Sequence, residues 1–594
     1  MSISIPRKID TRLRNRGRQI HASMNDMNDT AKDDGLSINE KEYPQQPQQQ
    51  RSLDEFLEIA YESEHRDGPM VAWKYWAVML SLGVANSSDA SEILCISYIL
   101  SDDTFASTIL MNAAWRAGLL ASAVFLGMLL GGLCLGTLGD WVGRKPILLL
   151  GLCVNAVAGI LSAGATNVYT LSFLRCLSGV GIGATVPPLF TLVTELAPPS
   201  KRGFFVTVCA SFWMVGSLYV AIMALGIFQY LPDAYSSWRL FALTCAVPSA
   251  VGALLVYTVV PESPRFLALQ QRQSQALKVA NQLASQMNYH GPSLTLPELL
   301  EQFPLETNED RSTANRFVMP SRLTLYSVGG MAKQAMADFW ISAAKLYTPE
   351  LKQTTWPLQM VWFSLSFGSY GLLTWINTLF VAVHLENVYF NAFLFALSNL
   401  PGNMLSALLM DRVKRSTMLV GSVVCAAGGL FSFAFFAAAS TLHAPGIVIS
   451  ACIFQCFTAS AWNTIDCMTS ELFPTSVRST GMGVCAASGR VGAMVAQFIN
   501  GALVANPVRL LLVASMTLLL GATTPCLLPN GGDMTGQPVQ DEVVTIVVVA
   551  DTDDEDGDGE SAIYRPVSSH DDNSPSIETN GTFKRSPYQN MDMA

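Results

Sequence analysis

Charged residues are scarce in this chain. Aspartate, glutamate, lysine and arginine together supply 14% of its 594 residues, whereas hydrophobic residues supply 50%. Soluble proteins usually reach about 25% charged residues. The composition therefore excludes an ordinary soluble protein and indicates an integral membrane protein, with the lipid bilayer as its first partner. The chain also lacks the clustered bases of a nucleic-acid-binding surface, so we expect no nucleic-acid partner.

Signals of export, of ATP use and of metal binding are missing as well. Residues 1–68 contain no apolar run long enough for a signal peptide. The GxxxxGK[ST] phosphate-binding loop is absent from the sequence, which argues against ATP-driven pumping. The twelve cysteines lie in apolar segments, without the histidine or cysteine clusters that hold metal ions. We expect neither an enzyme nor a protein that needs a cofactor or a metal.

Long apolar runs are what the sequence has in abundance. About 20 apolar residues in a helix, rising about 1.5 Å per residue, cross the hydrocarbon core of a bilayer. Twelve such runs are predicted, at 73–100, 115–138, 147–166, 169–193, 204–228, 239–260, 356–382, 388–410, 417–439, 445–469, 480–504 and 507–528. Six precede a polar stretch and six follow it, which predicts an all-α integral membrane protein of twelve transmembrane helices in two six-helix bundles.

The chain accordingly divides into five predicted parts. These are a mostly disordered cytosolic tail at 1–69, a six-helix bundle at 70–260, a cytosolic central loop at 261–352, a second six-helix bundle at 353–529 and an acidic disordered cytosolic tail at 530–594. One helix is predicted within the first tail, because SLDEFLEIAYES (52–63) combines a capping-box spacing with an apolar stripe. We expect this helix to pack against the bundle; a position on the membrane surface is the alternative.

Bases in the short loops predict the orientation of the chain. The loops that we assign to the cytosolic side hold Arg144, Lys145, Lys201, Arg202, Arg412, Lys414, Arg415 and Arg478. Because basic loops stay on the cytosolic side of a membrane, both termini are predicted to be cytosolic. The protein is then a multi-pass protein of the plasma membrane or of an intracellular vesicle membrane.

One charged pattern occurs twice. ELAPPSKR (195–202) and ELFPTSVR (471–478) each end the fourth run of a half, while GDWVGRK (139–145) and MDRVKRS (410–416) each follow the second run. Two matches at nearly one offset indicate duplication of a six-helix unit, with a solute site between the halves. The predicted gating residues are the acids and bases of these motifs: Asp140, Arg144, Glu195, Arg202, Asp411, Arg415, Glu471 and Arg478. They pair in one conformation and separate in another, or they are ordinary loop residues that follow the positive-inside rule.

Three of the ionisable side chains inside the apolar runs are candidates for ion coupling, because an unpaired charge in the bilayer core is energetically unfavourable. Asp89 and Glu92 share a helix face in the first run, and Arg175 lies in the fourth run at a similar predicted depth. One hypothesis is that Asp89 or Glu92 takes up a proton, while Arg175 holds the pKa in range and releases it as the bundle moves. The alternative is a static buried ion pair that fixes helix packing.

Several stretches resemble known families. GTLGDWVGRK (136–145) looks like the loop signature of the major facilitator superfamily, and RCLSGVGIG (175–183) is similar to its fourth-helix pattern. FWMVGSLYVAIMA (212–224), WFSLSFGSYGLLTW (362–375) and SAWNTIDCMTSELFP (460–474) look like the synaptic vesicle glycoprotein 2 family. The resemblance implies the major facilitator fold. That family's large luminal insertion between helices seven and eight is not present here.

The same resemblance implies a central ligand cavity. In the family this cavity is lined by the tryptophans of three short motifs, which correspond here to FWM, LTW and AWN, and by an aspartate that follows the third motif. The matching residues in this chain are Trp213, Trp375, Trp462 and Asp466. Asn463 joins them because it neighbours Trp462 and Asp466 on the tenth helix. Aromatic faces with a few polar groups suit a sugar, an organic cation or a heterocycle. Packing or a place in an interfacial aromatic belt is the alternative for each tryptophan.

The sequence therefore predicts a monomeric secondary active transporter. It would move a small organic solute by alternating access, with a proton as a candidate coupling ion. The second interpretation is a non-transporting or regulatory protein of vesicle membranes that retains the transporter fold. The repeated charged motifs favour transport, since a static scaffold would not need them in both halves.

Overall fold

The computed structural model describes residues 51–66, 72–304 and 340–528, apart from short gaps at 112, 137, 233–236, 342, 350, 411, 440–442 and 475–476. The predicted tail at 530–594, most of the tail at 1–69 and part of the central loop fall outside these residues. Within them, helices occupy most of the chain. This composition confirms the predicted all-α fold class.

Each predicted apolar run forms a helix, and we number these helices α1 to α12. The first six are α1 Trp73–Ile99, α2 Ala114–Gly131, α3 Arg144–Ser162, α4 Val168–Leu196, α5 Arg202–Leu225 and α6 Trp238–Thr258. The second six are α7 Lys352–Ala382, α8 Val388–Leu409, α9 Arg415–Ala438, α10 Ala444–Leu472, α11 Arg478–Leu503 and α12 Pro507–Thr523. In the described portion, eleven of them are long and apolar enough to cross a bilayer. The twelfth, α1, has 27 residues and carries a polar stretch around Asp89 and Glu92.

The two halves repeat one packing scheme. In the first half α1 packs on α5 and α6, α2 packs on α4, and α3 packs on α4 and α6. In the second half α7 packs on α11 and α12, α8 packs on α10, and α9 packs on α10 and α12. Each of these pairs in the first half has its counterpart six helices later. This correspondence supports the duplication that the repeated motifs predicted.

Small residues allow α2 and α4 to approach closely. A Cβ atom on Gly179 of α4 would lie 2.1 Å from the carbonyl oxygen of Val124, and one on Gly183 would lie 2.2 Å from that of Met128. Membrane helices associate through such small residues because lipid supplies no hydrophobic force between them. Gly179 and Gly183 of the RCLSGVGIG stretch (175–183) therefore have a packing role against α2.

We call the end of the bundle where α3 and α9 begin the basic end. At the opposite end the halves are in contact: Asn377 Nδ2 donates to Ser97 Oγ at 3.1 Å, and Phe228 stacks on Tyr389 with ring centroids 5.1 Å apart. A single hydrophobic cluster contains residues of both halves. The halves are thus packed together toward this opposite end.

Close contact of α2 with α11 extends the same junction. A Cβ atom on Gly118 of α2 would lie 3.2 Å from the carbonyl oxygen of Gln497 in α11, and one on Gly501 would lie 3.2 Å from that of Ala114. Toward the basic end, by contrast, each ion pair between described residues joins groups of one half or of the segments packed on it. Among the described residues, the polar, aromatic and glycine contacts that join the halves at this junction therefore lie away from the basic end.

The helix predicted near the amino terminus forms over Leu53–Arg66. Its apolar stripe of Leu53, Phe56, Leu57 and Ala60 is at most 3% exposed and joins a cluster with residues of the first half and of the central loop. The expected packing against the bundle is confirmed. The central loop contributes the short helices Pro264–Leu269, Gln273–Gln286 and Leu296–Gln302 to this assembly.

Candidate functional site

The duplicated motifs form equivalent ion pairs in the two halves. Arg144 at the start of α3 lies 3.4 Å from Glu195 near the end of α4. Arg415 at the start of α9 lies 2.9 Å from Glu471 near the end of α10. Each pair ties together two neighbouring helices of the same half, as the repeat predicted. In this conformation these four predicted gating residues therefore pair within a half, between α3 and α4 and between α9 and α10.

The other predicted gating residues have different hydrogen-bond partners in the two halves. Arg202 donates to the carboxylate of Asp54 at 2.9 Å and to the carbonyl oxygen of Thr194 at 3.0 Å. Its counterpart Arg478 donates to the carbonyl oxygen of Phe473 at 3.4 Å. Asp140 lies on a short helix, Gly139–Val142, in the loop after α2. Its counterpart Asp411 falls outside the described residues.

Glu92 and Arg175 meet in the interior of the first half. Both side chains are fully buried, and the guanidinium donates to the carboxylate and, at 3.4 Å, to Cys95 Sγ. Gly159 of α3 leaves room for the carboxylate, since a Cβ atom there would lie 2.3 Å from Glu92 Oε1. The pair thus links α1, α3 and α4 without access to solvent. This geometry favours the static ion pair over the proton relay for these two residues.

Asp89 is separated from that pair, although the sequence placed all three together. Its carboxylate accepts hydrogen bonds from Thr185 Oγ1 at 3.3 Å and Ser88 Oγ at 3.4 Å, and its side chain is 5% exposed. The cation close enough to interact with it electrostatically is Arg490 of α11, in the other half. In this structure Arg175 forms its ion pair with Glu92, and the recorded hydrogen-bond partners of the Asp89 carboxylate are Thr185 and Ser88. Both acids face α4, where Glu92 contacts Arg175 and Asp89 contacts Thr185, but Asp89 is also within electrostatic range of Arg490 in the other half.

An aromatic cluster lines the second half beside this boundary. The ring of Trp462 lies 5.5 Å from that of Tyr370 and 5.4 Å from that of Trp362, and its Nε1 donates to Ser369 Oγ at 3.1 Å. Tyr370 in turn lies 5.4 Å from Phe125 of the first half. The cluster therefore reaches from the interior of the second half to the surface of the first.

Asp466 lies one turn after Trp462 on α10, on the side that faces the aromatic cluster. It is exposed to solvent even though it lies about 9 Å inside the end of the helix. Because Trp462 on the same face packs against α7, the carboxylate lies on the side of α10 that faces the interior of the bundle. Asn463 lies on an adjacent face, where it donates to Asn403 Oδ1 at 2.8 Å and Ser406 Oγ at 2.7 Å of α8.

The two remaining tryptophans occupy different surroundings. Trp375 is 2% exposed, and its Nε1 donates to Gln497 Oε1 of α11 at 2.8 Å. In this conformation it belongs to the packed junction near the closed end and does not line open space. Trp213 of α5 is half-buried against the hydrophobic cluster shared by both halves. Trp462 and Asp466 therefore share one face of α10, whereas Trp375 is packed against α11.

One charged residue of this region was missed at the level of sequence. Arg490 of α11 is half-buried, and its guanidinium carbon lies 5.3 Å from the centre of the Tyr370 ring. It interacts electrostatically with Asp89 of the first half and with Asp466 of the second. The signal was available, because Arg490 is an ionisable residue inside the predicted run 480–504, and the rule that identified Asp89 applies to it equally.

The repeated six-helix halves, the charged motifs at matching helix ends and the cleft between the halves define a membrane transporter with the major facilitator fold. The chain belongs to the sugar (and other) transporter family, whose model matches residues 82–508.

Its relatives include human synaptic vesicle glycoprotein 2C, with 26% identity over 77% of this chain and 78% of the relative. Rat synaptic vesicle glycoprotein 2A shares 27% identity over 77% of each chain. The inward-open xylose transporter of E. coli matches 78% of this chain and 98% of its own, with a TM-score of 0.58 and 17% identity. The partially occluded inward-open form of that transporter has a TM-score of 0.56 at 15% identity, over 76% of this chain and 97% of its own. These structural matches confirm the fold.

Proposed function

We propose that the protein is a secondary active transporter that carries a small organic solute through the cleft between its halves. The basic end faces the cytosol in this proposal, as the positive-inside rule requires. The solute is sugar-like, or an organic cation or heterocycle, because the cleft combines aromatic faces with a few polar groups. Alternating access follows from the fold, since two similar bodies can tilt about a site between them.

One observation supports this proposal above the others. Asp466 is exposed to solvent inside the helix bundle beside Trp462, while the halves are packed together at the opposite end. A charged group at this depth would be expensive in lipid or in a sealed protein interior, so it calls for a hydrated cavity. An open basic end and a closed opposite end are the features of an inward-facing transporter. The pairs Arg144–Glu195 and Arg415–Glu471 would separate when the basic end closes.

Counterflow in proteoliposomes tests the proposal. Purified full-length protein is reconstituted, loaded with an unlabelled solute and offered the labelled form, over a panel of sugars, organic cations and heterocycles. We expect exchange of at least one member of the panel, well above the rate in empty liposomes. If a solute stabilises the protein against heat but is never exchanged, the second interpretation, a non-transporting membrane protein that retains the fold, replaces this one.

Coupling to protons forms the second part of the proposal, and Asp89 is its candidate carrier. Asp89 lies at the boundary between the halves with hydroxyl partners and a distant cation, so its environment changes when the halves tilt. We expect Asp89→Asn to abolish the dependence of uptake on a proton gradient. Uptake at several external pH values measures this, with Asp103→Asn as the control because Asp103 is exposed outside the bundle. Proton dependence that persists in Asp89→Asn removes Asp89 from the mechanism.

A further inference from the structure

Asp466 and Arg490 present opposite charges to the same cleft without forming an ion pair with each other. In the described part of the chain neither side chain has an ion-pair partner within 4.0 Å, yet the two are close enough to interact electrostatically. One is exposed and the other half-buried. Charges inside a membrane bundle are unfavourable unless they are neutralised, so a carboxylate and a guanidinium that do not pair with each other can each bind a ligand group of opposite charge.

The surface beside these two charges is aromatic. Arg490 lies over the Tyr370 ring at 5.3 Å, and the Tyr370 and Trp462 rings are 5.5 Å apart. Trp462 precedes Asp466 by one helical turn, so the aromatic faces adjoin both charged groups. An aromatic face attracts an ammonium group through its quadrupole. A guanidinium offers two parallel donors to a carboxylate.

We propose that the cleft selects a zwitterion, a small solute with a carboxylate and an ammonium group. Its carboxylate would bind Arg490 and its ammonium group would bind Asp466 beside Trp462. This inference rests on the proposed function, since it assumes that the cleft binds a transported solute, and it narrows the class of that solute. Arg490 then determines specificity.

Solutes with one charge or none fit this arrangement less well. A simple amine would gain Asp466 but face the positive charge of Arg490, and a simple carboxylate would gain Arg490 but face Asp466 and, across the boundary, Asp89. A neutral sugar would leave both charges without a partner. The charged and titratable groups around Arg490 are Asp466 on its neighbouring helix, Tyr370 on α7 and Asp89 on α1. Of these, Asp466 is the exposed acid.

Matched ligands test the proposal. Linear amino acids from glycine to 6-aminohexanoate are compared with the amines and carboxylates of the same chain lengths and with D-xylose, by thermal stabilisation of the purified full-length protein. A ligand that binds the folded state raises the midpoint in proportion to its affinity. We expect one amino acid to bind at least tenfold more tightly than its amine, its carboxylate and D-xylose.

Variants assign the two ends of the ligand. Arg490→Gln should weaken binding of that amino acid at least tenfold while binding of the matching amine stays equal or improves, and Arg490→Lys should restore part of the loss. Asp466→Asn should show the reverse preference and favour the carboxylate. Arg509→Gln, at an exposed position at the start of α12, is the control and should leave every affinity unchanged.

Two outcomes overturn the inference in different ways. If D-xylose or a singly charged solute binds and is exchanged as well as any amino acid, or if Arg490→Gln leaves amino acid affinity intact, the zwitterion assignment fails and the transporter proposal survives. If no solute in either panel binds or is exchanged, both proposals fail together.

Discussion

Asp89 and Glu92 show how neighbouring acids on one helix acquire different roles. The sequence treats them alike, since they share a face three residues apart. In the structure Glu92 is sealed against Arg175, whereas Asp89 meets only hydroxyl groups and a cation of the other half. A charge held by a buried partner is fixed in place, so Glu92 and Arg175 contribute to packing. Asp89 remains the candidate for proton exchange.

The buried pair carries a prediction about stability. Glu92→Gln and Arg175→Met should each lower the free energy of unfolding by about 3–5 kcal/mol, because each leaves one buried charge without compensation. Glu92→Leu combined with Arg175→Met should be close to the wild-type protein, since neither charge then remains. Chemical denaturation in detergent measures this. A double variant as unstable as the sum of the single variants would show that the charges themselves are required.

At the scale of the element, the amino-terminal helix Leu53–Arg66 departs from the two-fold repeat of the bundle. Its Asp54 accepts a hydrogen bond from Arg202, the basic residue that ends the ELAPPSKR motif of the first half. Glu58 accepts a hydrogen bond from Ser200 N at 3.0 Å. The corresponding base of the second half, Arg478, binds a backbone carbonyl instead. The helix therefore fastens the loop after α4, and the two halves are not equivalent at the basic end.

Magnitudes decide what holds this helix in place. The Asp54–Arg202 pair is roughly one-third exposed on both sides, and exposed pairs contribute about 0–1 kcal/mol. Phe56 is fully buried, and its truncation to alanine costs about 3–5 kcal/mol. We expect Phe56→Ala to abolish protection of residues 53–66 in hydrogen exchange, and Asp54→Asn to change it little. Glu62→Ala is the control, because Glu62 is exposed; a larger effect of Asp54→Asn would reverse this ranking.

At the scale of the whole molecule, the described contacts between the halves extend from the middle of the bundle to the end opposite the basic end. The junction of α2 with α11 is tight at Gly118, because a Cβ atom there would lie 3.2 Å from the carbonyl oxygen of Gln497 and a larger side chain would need more space. The other end is held within each half by Arg144–Glu195 and Arg415–Glu471. In an alternating-access cycle the α2–α11 junction would separate while the halves approach each other at the basic end.

A side chain in that junction should shift the equilibrium between conformations. Gly118→Leu is expected to part the halves at the opposite end and to favour the outward-facing state. The distance between spin labels placed on the α1–α2 and α7–α8 connections should therefore increase. Gly421→Leu is the matched control, since a Cβ atom there meets nothing within 4 Å. An unchanged distance distribution in Gly118→Leu would show that this contact does not hold the end closed.

Much of the fold and part of the site could be predicted from sequence. The twelve helices follow from apolar length, and the pairs Arg144–Glu195 and Arg415–Glu471 follow from motifs repeated at matching helix ends. The partner of Asp89 could not be predicted, because depth along a helix does not give its rotation about its own axis. Arg490 could have been predicted as a functional residue, because it is a charged residue inside an apolar run. The prediction was not made, because the sequence showed no partner for it.

The sequence by itself determined that this is a membrane protein of two duplicated six-helix halves, because hydrocarbon thickness sets helix length and a repeated motif records the duplication. Only the tertiary structure decided which charges meet, which tryptophans face open space and which end is closed. Those properties depend on how helices are rotated and packed against one another, and contacts between residues hundreds of positions apart leave no local pattern in the chain.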